Sequence, residues 1–94
     1  MFIDDFIWLP AIADKIQIKH NLTPEEVEEI FFNQPKFRKV EEGLRNGEDV
    51  FAATGQTDTG KYLVVFFIRK ANNVALIISA RTMDKRERRR YGKK

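Results

Sequence analysis

The stretch YLVVFFIRKANNVALIISAR, residues 62–81, decides the fold of this chain. It contains two apolar segments, YLVVFFIRK and VALIISAR, with the turn signal Asn72-Asn73 between them. Each segment is apolar on both faces, which is typical of strands in the middle of a sheet with a helix covering at least one face. The pattern therefore predicts two adjacent strands near the centre of a sheet.

The residues before this pair predict a further strand. A charged segment beginning at Lys36, KFRKVEEGLRNGEDVFAATGQT, passes through the turn signal Asn46-Gly47 into a strand from about Val50. Asp58-Thr59-Gly60 predicts the next turn. Together the strands predict an antiparallel meander.

The N-terminal third predicts one strand and two helices. Phe2–Trp8 has the pattern of a short strand, and Pro10 suits the start of a helix that continues through AIADKIQIKH. Thr23 is the predicted N-cap of the second helix, because Pro24 would follow it and Glu26 would complete a capping box.

The chain should end in a third helix, DKRERRRY, for which Thr82 is the predicted N-cap. A strand, two helices, an antiparallel meander and a C-terminal helix describe an α+β fold of two layers. Ninety-four residues, of which 43% are apolar, fit a single domain over residues 1–94 with one core.

Composition and spacing exclude several functional classes. The chain has no cysteine and one histidine, so disulfides, thiolate chemistry and multi-histidine metal sites are excluded. The five glycines form no phosphate-binding loop, and the glutamates at 25–29 are typical of a solvated helix face. Asp4 and Asp5 replace the basic start of a signal peptide, and no apolar run reaches the ~18–20 residues of a membrane span. We expect a cytoplasmic protein without cofactor, metal or membrane partner.

The net charge of +3 is distributed unevenly. From Arg81 onward, eight Lys or Arg face two acidic residues, a net charge of +6, whereas the first eighty residues carry nine basic and twelve acidic residues, a net charge of −3. This asymmetry predicts a polyanion, an acidic protein, or both as partners of the C-terminal end.

RNA cleavage by attack of its own 2′-hydroxyl needs only proton carriers and a cation that stabilises the charge on phosphorus. Arg81 is a good candidate for that cation, because it ends a predicted buried strand and its planar guanidinium matches two phosphate oxygens. Arg86, Arg89 and Arg90 on the last helix would position the RNA backbone. His20 would carry protons.

Each of these residues also fits a structural role. Arg81 at a strand end fits an ion pair with a carboxylate, the basic run fits a solvated helix face, and His20 fits a partner of a helix C-terminus. The residues alone leave these alternatives open.

Three segments together resemble the BrnT family of bacterial toxins. WLPAIADKIQIKHNLTPEEVEEIFF resembles the family's opening, in which Trp-Asp-Pro leads into a helix, then Lys-His, then a Glu-rich helix. GQTDTGKYLVVFF resembles its Gly-Arg-Thr-x-x-Gly-Arg-x-Leu-x-Val-Val strand pair, and IISARTMDKRERRRY matches its ending nearly residue for residue. The resemblance covers about residues 6–91.

The resemblance implies a RelE-like fold, a ribonuclease that halts translation, and a DNA-binding BrnA-like antitoxin as partner. It places Arg81, His20 and Lys19 at suspected catalytic positions. It also assigns a terminal helix motif to Glu87, Arg88 and Tyr91. The predicted RNA-binding residues are the following: Lys61, Arg86, Arg88, Arg89 and Arg90.

The chain departs from the family pattern at Gln56, where the Gly-Arg-Thr segment has its arginine. Lys61 or Arg69 on the next strand could replace that cation. The sequence therefore predicts a metal-independent endoribonuclease, with two alternatives on the same fold: a non-catalytic RNA- or ribosome-binding module, or a protein-interaction domain.

Overall fold

The computed structural model describes residues 1–43 and 48–93 and confirms the α+β fold class. The Asn46-Gly47 turn signal lies outside these residues. The elements in chain order are β1 Asp5–Ile7, α1 Pro10–His20, α2 Pro24–Glu29, a 3-10 turn Ile30–Phe32, β2 Lys36–Glu41, β3 Val50–Gln56, β4 Tyr62–Lys70, a 3-10 turn Ala71–Asn73, β5 Val74–Thr82 and α3 Lys85–Tyr91.

The five strands form one mixed sheet in the order β1-β5-β4-β3-β2. β2 to β5 form an antiparallel meander, and β1 joins the outer edge of β5 in parallel. The 62–81 stretch thus supplies the central hairpin, as predicted. Asn72 and Asn73 both have positive φ, 64° and 62°, which asparagine tolerates better than most residues.

Two strands differ from the sequence prediction. The charged segment after Pro35 contains an edge strand, β2, in which only Phe37 is half-buried. An edge strand of this kind carries no apolar face to identify it, and exposed charges protect its free edge. β1 is shorter than the predicted Phe2–Trp8, because only Asp5–Ile7 pairs with β5.

The main core lies between the sheet and the α1–α2 layer, on the side that we call the helix face. Ile16, Val27 and Ile30 pack there against inward-facing residues of β4 such as Leu63 and Phe67. The backbone approaches closely at Gly55, where a Cβ would lie 2.9 Å from the Ile30 Cβ. Glycine is therefore needed at that position.

The opposite side, which we call the α3 face, has a smaller cluster. The cluster has three buried residues with three half-buried rings packed around them: Ala52, Val64 and Met83, and Tyr62, Phe66 and Tyr91. α3 covers only part of this face, so the sheet is enclosed on one side and partly accessible on the other.

The capping box predicted for α2 is confirmed. Thr23 Oγ1 accepts a hydrogen bond from the Glu26 amide at 3.1 Å, and Glu26 Oε1 accepts one from the Thr23 amide at 3.0 Å. The predicted N-cap of α3 is wrong: Asp84 fills that position, because Thr82 still pairs with Leu63 as the last residue of β5. No described helix is long and apolar enough to cross a membrane.

Candidate nucleic-acid interface

A β-bulge decides where Arg81 points. Phe67 pairs with Ile77 and Phe66 with Ser79, so β5 has one extra residue, Ile78, between them. Strict alternation from the buried Ile77 would turn Arg81 toward the helix face. The bulge reverses the alternation and aims Arg81 at the α3 face.

Arg81 forms a bidentate ion pair with Glu87 of α3. Nη1 donates to Oε1 at 2.6 Å and Nη2 to Oε2 at 2.8 Å, and the guanidinium lies 5.7 Å from the centroid of the Phe66 ring. Nη1 also donates to the Thr82 carbonyl at 3.3 Å. The strand end and the helix therefore fix the guanidinium in one place, and the carboxylate pair that the sequence left open is present.

Glu87 also caps α3, because its Oε1 accepts from the Asp84 amide at 2.9 Å. The hydrogen bond from Arg81 lowers the pKa of Glu87 to about 2, with a smaller contribution from the Asp84 amide, against the opposing effect of burial. Glu87 in turn raises the pKa of Arg81. Both groups are charged near neutral pH, so Glu87 is a poor general base and a good anchor.

The ion pair leaves part of Arg81 accessible. Its side chain is 37% exposed, against 18% for Glu87. A guanidinium has five N–H donors, and the pair uses only the Nη1–Nη2 end. Among residues 1–43 and 48–93, none accepts a hydrogen bond from Nε. The Nε–Nη2 edge can therefore donate to an incoming phosphate while Glu87 holds the other end.

A row of side chains connects this pair to the far edge of the sheet. Arg81 lies opposite Val64, Val64 opposite Thr54, and Thr54 opposite Lys36 on β2. A cavity of about 160 Å³ opens beside this row. Its lining residues are Lys36, Phe37, Arg38, Thr54, Glu87, Arg90 and Tyr91.

Two cations of β2 take part in this surface, and the sequence prediction missed both. Lys36 Nζ donates to the carbonyls of Tyr91 at 2.6 Å and Lys93 at 2.9 Å, so it caps the C-terminal end of α3. Arg38 is exposed and its charge lowers the pKa of Glu87 further. The signal was present in KFRK, where basic residues alternate with Phe37.

The predicted RNA-binding arginines lie along α3. Arg86, Arg88, Arg89 and Arg90 are all exposed. Arg88 lies 4.3 Å from the centroid of the Tyr62 ring, a cation–π contact that holds it on the sheet surface. These side chains and Arg81 make α3 and the adjacent end of β5 strongly basic.

Lys61 and Gln56 lie at one end of the β3–β4 hairpin. Lys61 Nζ pairs with Glu26 at 2.6 Å, and Gln56 Nε2 donates to the Gly60 carbonyl at 3.3 Å. Arg69 follows Tyr62, the partner of Gln56, by seven residues on β4, roughly 23 Å at ~3.3 Å per residue. Arg69 therefore cannot replace the family's arginine at position 56.

Lys19 and His20 are not brought together with Arg81. Both are exposed at the C-terminal end of α1, whose buried Ile16 packs on the helix face. In the described residues, no hydrogen bond or ion pair joins either side chain to Arg81. Their position in the last turn of α1 is the helix-dipole arrangement that the sequence had left as the alternative.

Nor do the described residues contain a group of three or more His, Asp or Glu side chains arranged to hold a metal ion. The chemistry available on the α3 face is that of fixed and exposed cations beside aromatic rings.

Comparison with known proteins matches a protein family and a solved structure. The family model "Ribonuclease toxin, BrnT, of type II toxin-antitoxin system" matches residues 8–87. The fold is similar to the 1.1 Å crystal structure of the Brucella abortus ribonuclease toxin, BrnT, with a TM-score of 0.62 and 16% sequence identity. That similarity covers 87% of this chain and 100% of the Brucella chain. A search of curated protein sequences gives no match.

Proposed function

Because the chain belongs to the BrnT family of ribonuclease toxins of type II toxin–antitoxin systems, we propose that it cleaves RNA and so inhibits translation. The observation that carries this proposal is Arg81, whose guanidinium is fixed by Glu87 while its side chain stays 37% exposed beside the basic helix α3. We also propose a DNA-binding, BrnA-like antitoxin as the partner that restrains it.

The proposed reaction is attack of a ribose 2′-oxygen on the adjacent phosphorus. The 2′-hydroxyl loses its proton, the bond from phosphorus to the 5′-oxygen breaks, and that oxygen takes up a proton. The products are a 2′,3′-cyclic phosphate and a free 5′-hydroxyl. Arg81 would donate from its Nε–Nη2 edge to the non-bridging oxygens, where negative charge increases in the transition state. No metal is required for these steps.

Positioning of the RNA falls to the exposed arginines of α3. Arg88 is oriented by Tyr62, and Arg89 lies beside it on the helix. Contacts of this kind hold the phosphate backbone in register without reading its sequence. Lys61 would contribute less, because Glu26 already neutralises it.

His20 and Lys19 stay predictions as proton-transfer residues, and their position at the end of α1, apart from Arg81, makes them the first to test. Histidine is the side chain best suited to proton transfer near neutral pH, and His20 is the one histidine of the chain. The test is His20→Ala: a proton carrier predicts a large loss of kcat with little change in RNA affinity. An unchanged kcat would remove His20 from the site.

Two observations favour the non-catalytic alternative, in which the same surface binds RNA without cutting it. Glu87 occupies one end of Arg81, and Gln56 stands where the family has an arginine. Purified chain that binds RNA with steep salt dependence but leaves it intact would establish that alternative.

The deciding experiment measures cleavage of a defined RNA by the purified chain in the presence of a metal chelator. Arg81→Ala should lower kcat by about 10²–10³-fold, because it removes charge stabilisation specific to the transition state. Arg81→Lys should recover only part of this, since lysine lacks the planar fork. Arg69→Ala is the matched control, because Arg69 lies at the other end of β4 and contacts only Asn73 among the described hydrogen bonds.

A 2′-deoxynucleotide at the cut site then tests the nucleophile. Complete resistance of that substrate, with a cyclic phosphate on the normal product, supports 2′-oxygen attack. Cleavage of the deoxy substrate, or loss of all cleavage in chelator, would overturn the proposed mechanism.

A further inference from the structure

An aliphatic row crosses the part of the α3 face that α3 does not cover. Ile7 of β1 pairs with Leu76 of β5, Leu76 with Ile68 of β4, and Ile68 with Val50 of β3. Ile68 follows Phe66 by two residues on the same strand, so both point to the α3 face. We call Ile7, Val50, Ile68 and Leu76 the aliphatic row.

These four side chains are not part of either core. Neither cluster of buried residues, nor the half-buried residues packed against them in the described chain, includes a member of the row. Ile7 is 43% exposed and the other three are half-buried. A continuous apolar strip across four strands is a feature that soluble proteins usually cover with a partner.

The chemistry of the row favours a protein over nucleic acid. Unpaired bases stack on aromatic rings or arginine planes, and aliphatic side chains offer neither. A helix or strand with apolar side chains of its own usually packs against aliphatic residues on a sheet surface. The helix face of this same sheet is covered in that way by α1 and α2.

The charges beside the row define the partner further. The next row of the sheet toward α3 begins with Arg38 on β2 and passes through Ala52 and Phe66 to Ser79. Arg81 follows two residues after Ser79. A segment lying on the aliphatic row would therefore have the exposed Arg38 and the partly exposed Arg81 along its α3 side.

We infer that the aliphatic row and these two arginines form the docking site for an amphipathic, acidic segment of the antitoxin. Its apolar side chains cover Ile68 and Leu76, and its carboxylates pair with Arg38 and Arg81. A carboxylate on the Nε–Nη2 edge of Arg81 excludes a phosphate from the same edge, so docking and inhibition share one contact. The inference rests on the antitoxin partner of the proposed function and not on cleavage itself.

The absence of cysteine from the sequence allows a direct test. Ile68→Cys creates a unique thiol in the row, and Ile18→Cys creates the control on α1, where Ile18 is 83% exposed. Maleimide labelling is timed for the purified toxin alone and with excess purified antitoxin from the neighbouring reading frame. We expect the antitoxin to slow labelling of the Ile68→Cys thiol at least tenfold and that of the Ile18→Cys thiol less than twofold.

Other outcomes would overturn the inference. They are equal labelling of the Ile68→Cys thiol with and without antitoxin, protection only at position 18, and protection by RNA but not by antitoxin. If the Ile68→Cys thiol of the toxin alone is already labelled much more slowly than the Ile18→Cys thiol, and analytical ultracentrifugation shows a dimer, the row would be assigned to a second copy. Circular dichroism melting of each variant verifies the fold before labelling.

The acidic character of the segment is tested with Ile68→Glu and Ile68→Lys. Both replace the same apolar side chain with a charged one, so their difference reports the charge of the partner. We expect Ile68→Glu to raise the Kd of the complex at least tenfold more than Ile68→Lys does. The reverse order would contradict an acidic partner.

An RNA-cleavage assay of the same proteins separates this inference from the proposed function. Wild type that cuts no RNA, combined with antitoxin protection of the Ile68→Cys thiol, would end the nuclease proposal and support the docking site. If the wild type cuts RNA but antitoxin does not protect the Ile68→Cys thiol, the nuclease proposal would be supported and the docking site rejected.

Discussion

The two faces of the sheet are built from alternate residues of the same strands, yet they are covered differently. On the helix face, Leu63, Val65 and Phe67 of β4 are fully buried beneath α1 and α2. On the α3 face, Val64 is buried, whereas Phe66 is only half-buried. Burial of apolar surface supplies most of the favourable free energy of folding. The helix face therefore stabilises the protein, and the α3 face keeps charges and apolar groups accessible for binding.

Phe66 and Phe67 allow this difference to be measured with one residue type. They are neighbours on β4 and point to opposite faces. Phe67 is fully buried and contacts the rings of Phe31, Phe37 and Phe51 at centroid distances of 5.3, 6.0 and 5.9 Å, whereas Phe66 packs at the margin of the smaller cluster. We expect Phe67→Ala to lower the free energy of unfolding by about 3–5 kcal/mol and Phe66→Ala by less than half of that.

Urea denaturation of both variants, with Phe→Leu at each position as the milder control, gives the two values. Such a loss at Phe67 is a large part of the ~5–15 kcal/mol that stabilises a domain of this kind. Equal losses of unfolding free energy at the two positions would contradict the conclusion that the helix face contributes more to stability than the α3 face.

Glu87 and Glu26 give a second, smaller comparison across the sheet. Each occupies the N3 position of a capping box, and each pairs with a cation, Arg81 for Glu87 and Lys61 for Glu26. The pKa of Glu87 is lowered from its ordinary 4.5 to about 2, chiefly by Arg81. Its contribution to stability is therefore complete above pH 4.5 and is lost as the pH falls toward 2.

We expect Glu87→Gln to lower the free energy of unfolding by about 1–2 kcal/mol at pH 7, after allowance for the partial exposure of the pair. The difference from wild type should shrink between pH 4.5 and pH 2, as measured by urea denaturation across that range. The pKa of Glu26 is lowered mainly by Lys61, and we expect Glu26→Gln to reduce the free energy of unfolding by less than Glu87→Gln does. A Glu87→Gln difference that does not depend on pH in this window would mean that the ion pair contributes nothing.

The sequence predicted best where local chemistry decides the structure. The central hairpin followed from two segments that are apolar on both faces, and the α2 capping box followed from Thr23 and Glu26, which are three residues apart. β2 could not be predicted in this way, because an edge strand with exposed charges lacks a periodic apolar signal. Thr82 was wrong as a cap because pairing with β4 continues to the end of β5.

The site depends on features with longer range, and so less of it could be predicted. Arg81 was predicted from its place at the end of a buried strand, but its side of the sheet depends on a bulge at Ile78 that the apolar run conceals. Glu87 was assigned to a helix motif, and nothing in the sequence paired it with Arg81 rather than with a neighbour on α3. Arg38 comes from a strand distant in sequence that only the sheet order brings near the site.

The smallest effects should come from two exposed arginines of α3, Arg88 and Arg89, at the outer limit of the α3 face. Arg88→Ala and Arg89→Ala each remove one cation that contacts RNA phosphates in the proposed complex. We expect each to weaken RNA binding by about 0.5–1 kcal/mol and to reduce the slope of log affinity against log salt by ~0.7, the value for one contact to a single strand. Turnover of bound RNA should change less than affinity, as measured by single-turnover kinetics at saturating enzyme.

Arg88→Lys and Arg69→Ala serve as controls for this pair. Arg88→Lys keeps the charge and should keep the salt slope, while losing part of the stacking on Tyr62. Arg69→Ala should alter neither value, because Arg69 lies at the far end of β4. If Arg88→Ala slowed turnover more than it weakened binding, the reactive phosphate would lie against α3 as well as Arg81. Arg88 would then belong with Arg81 among the residues that act on the reacting phosphate, and not among those that only position the RNA.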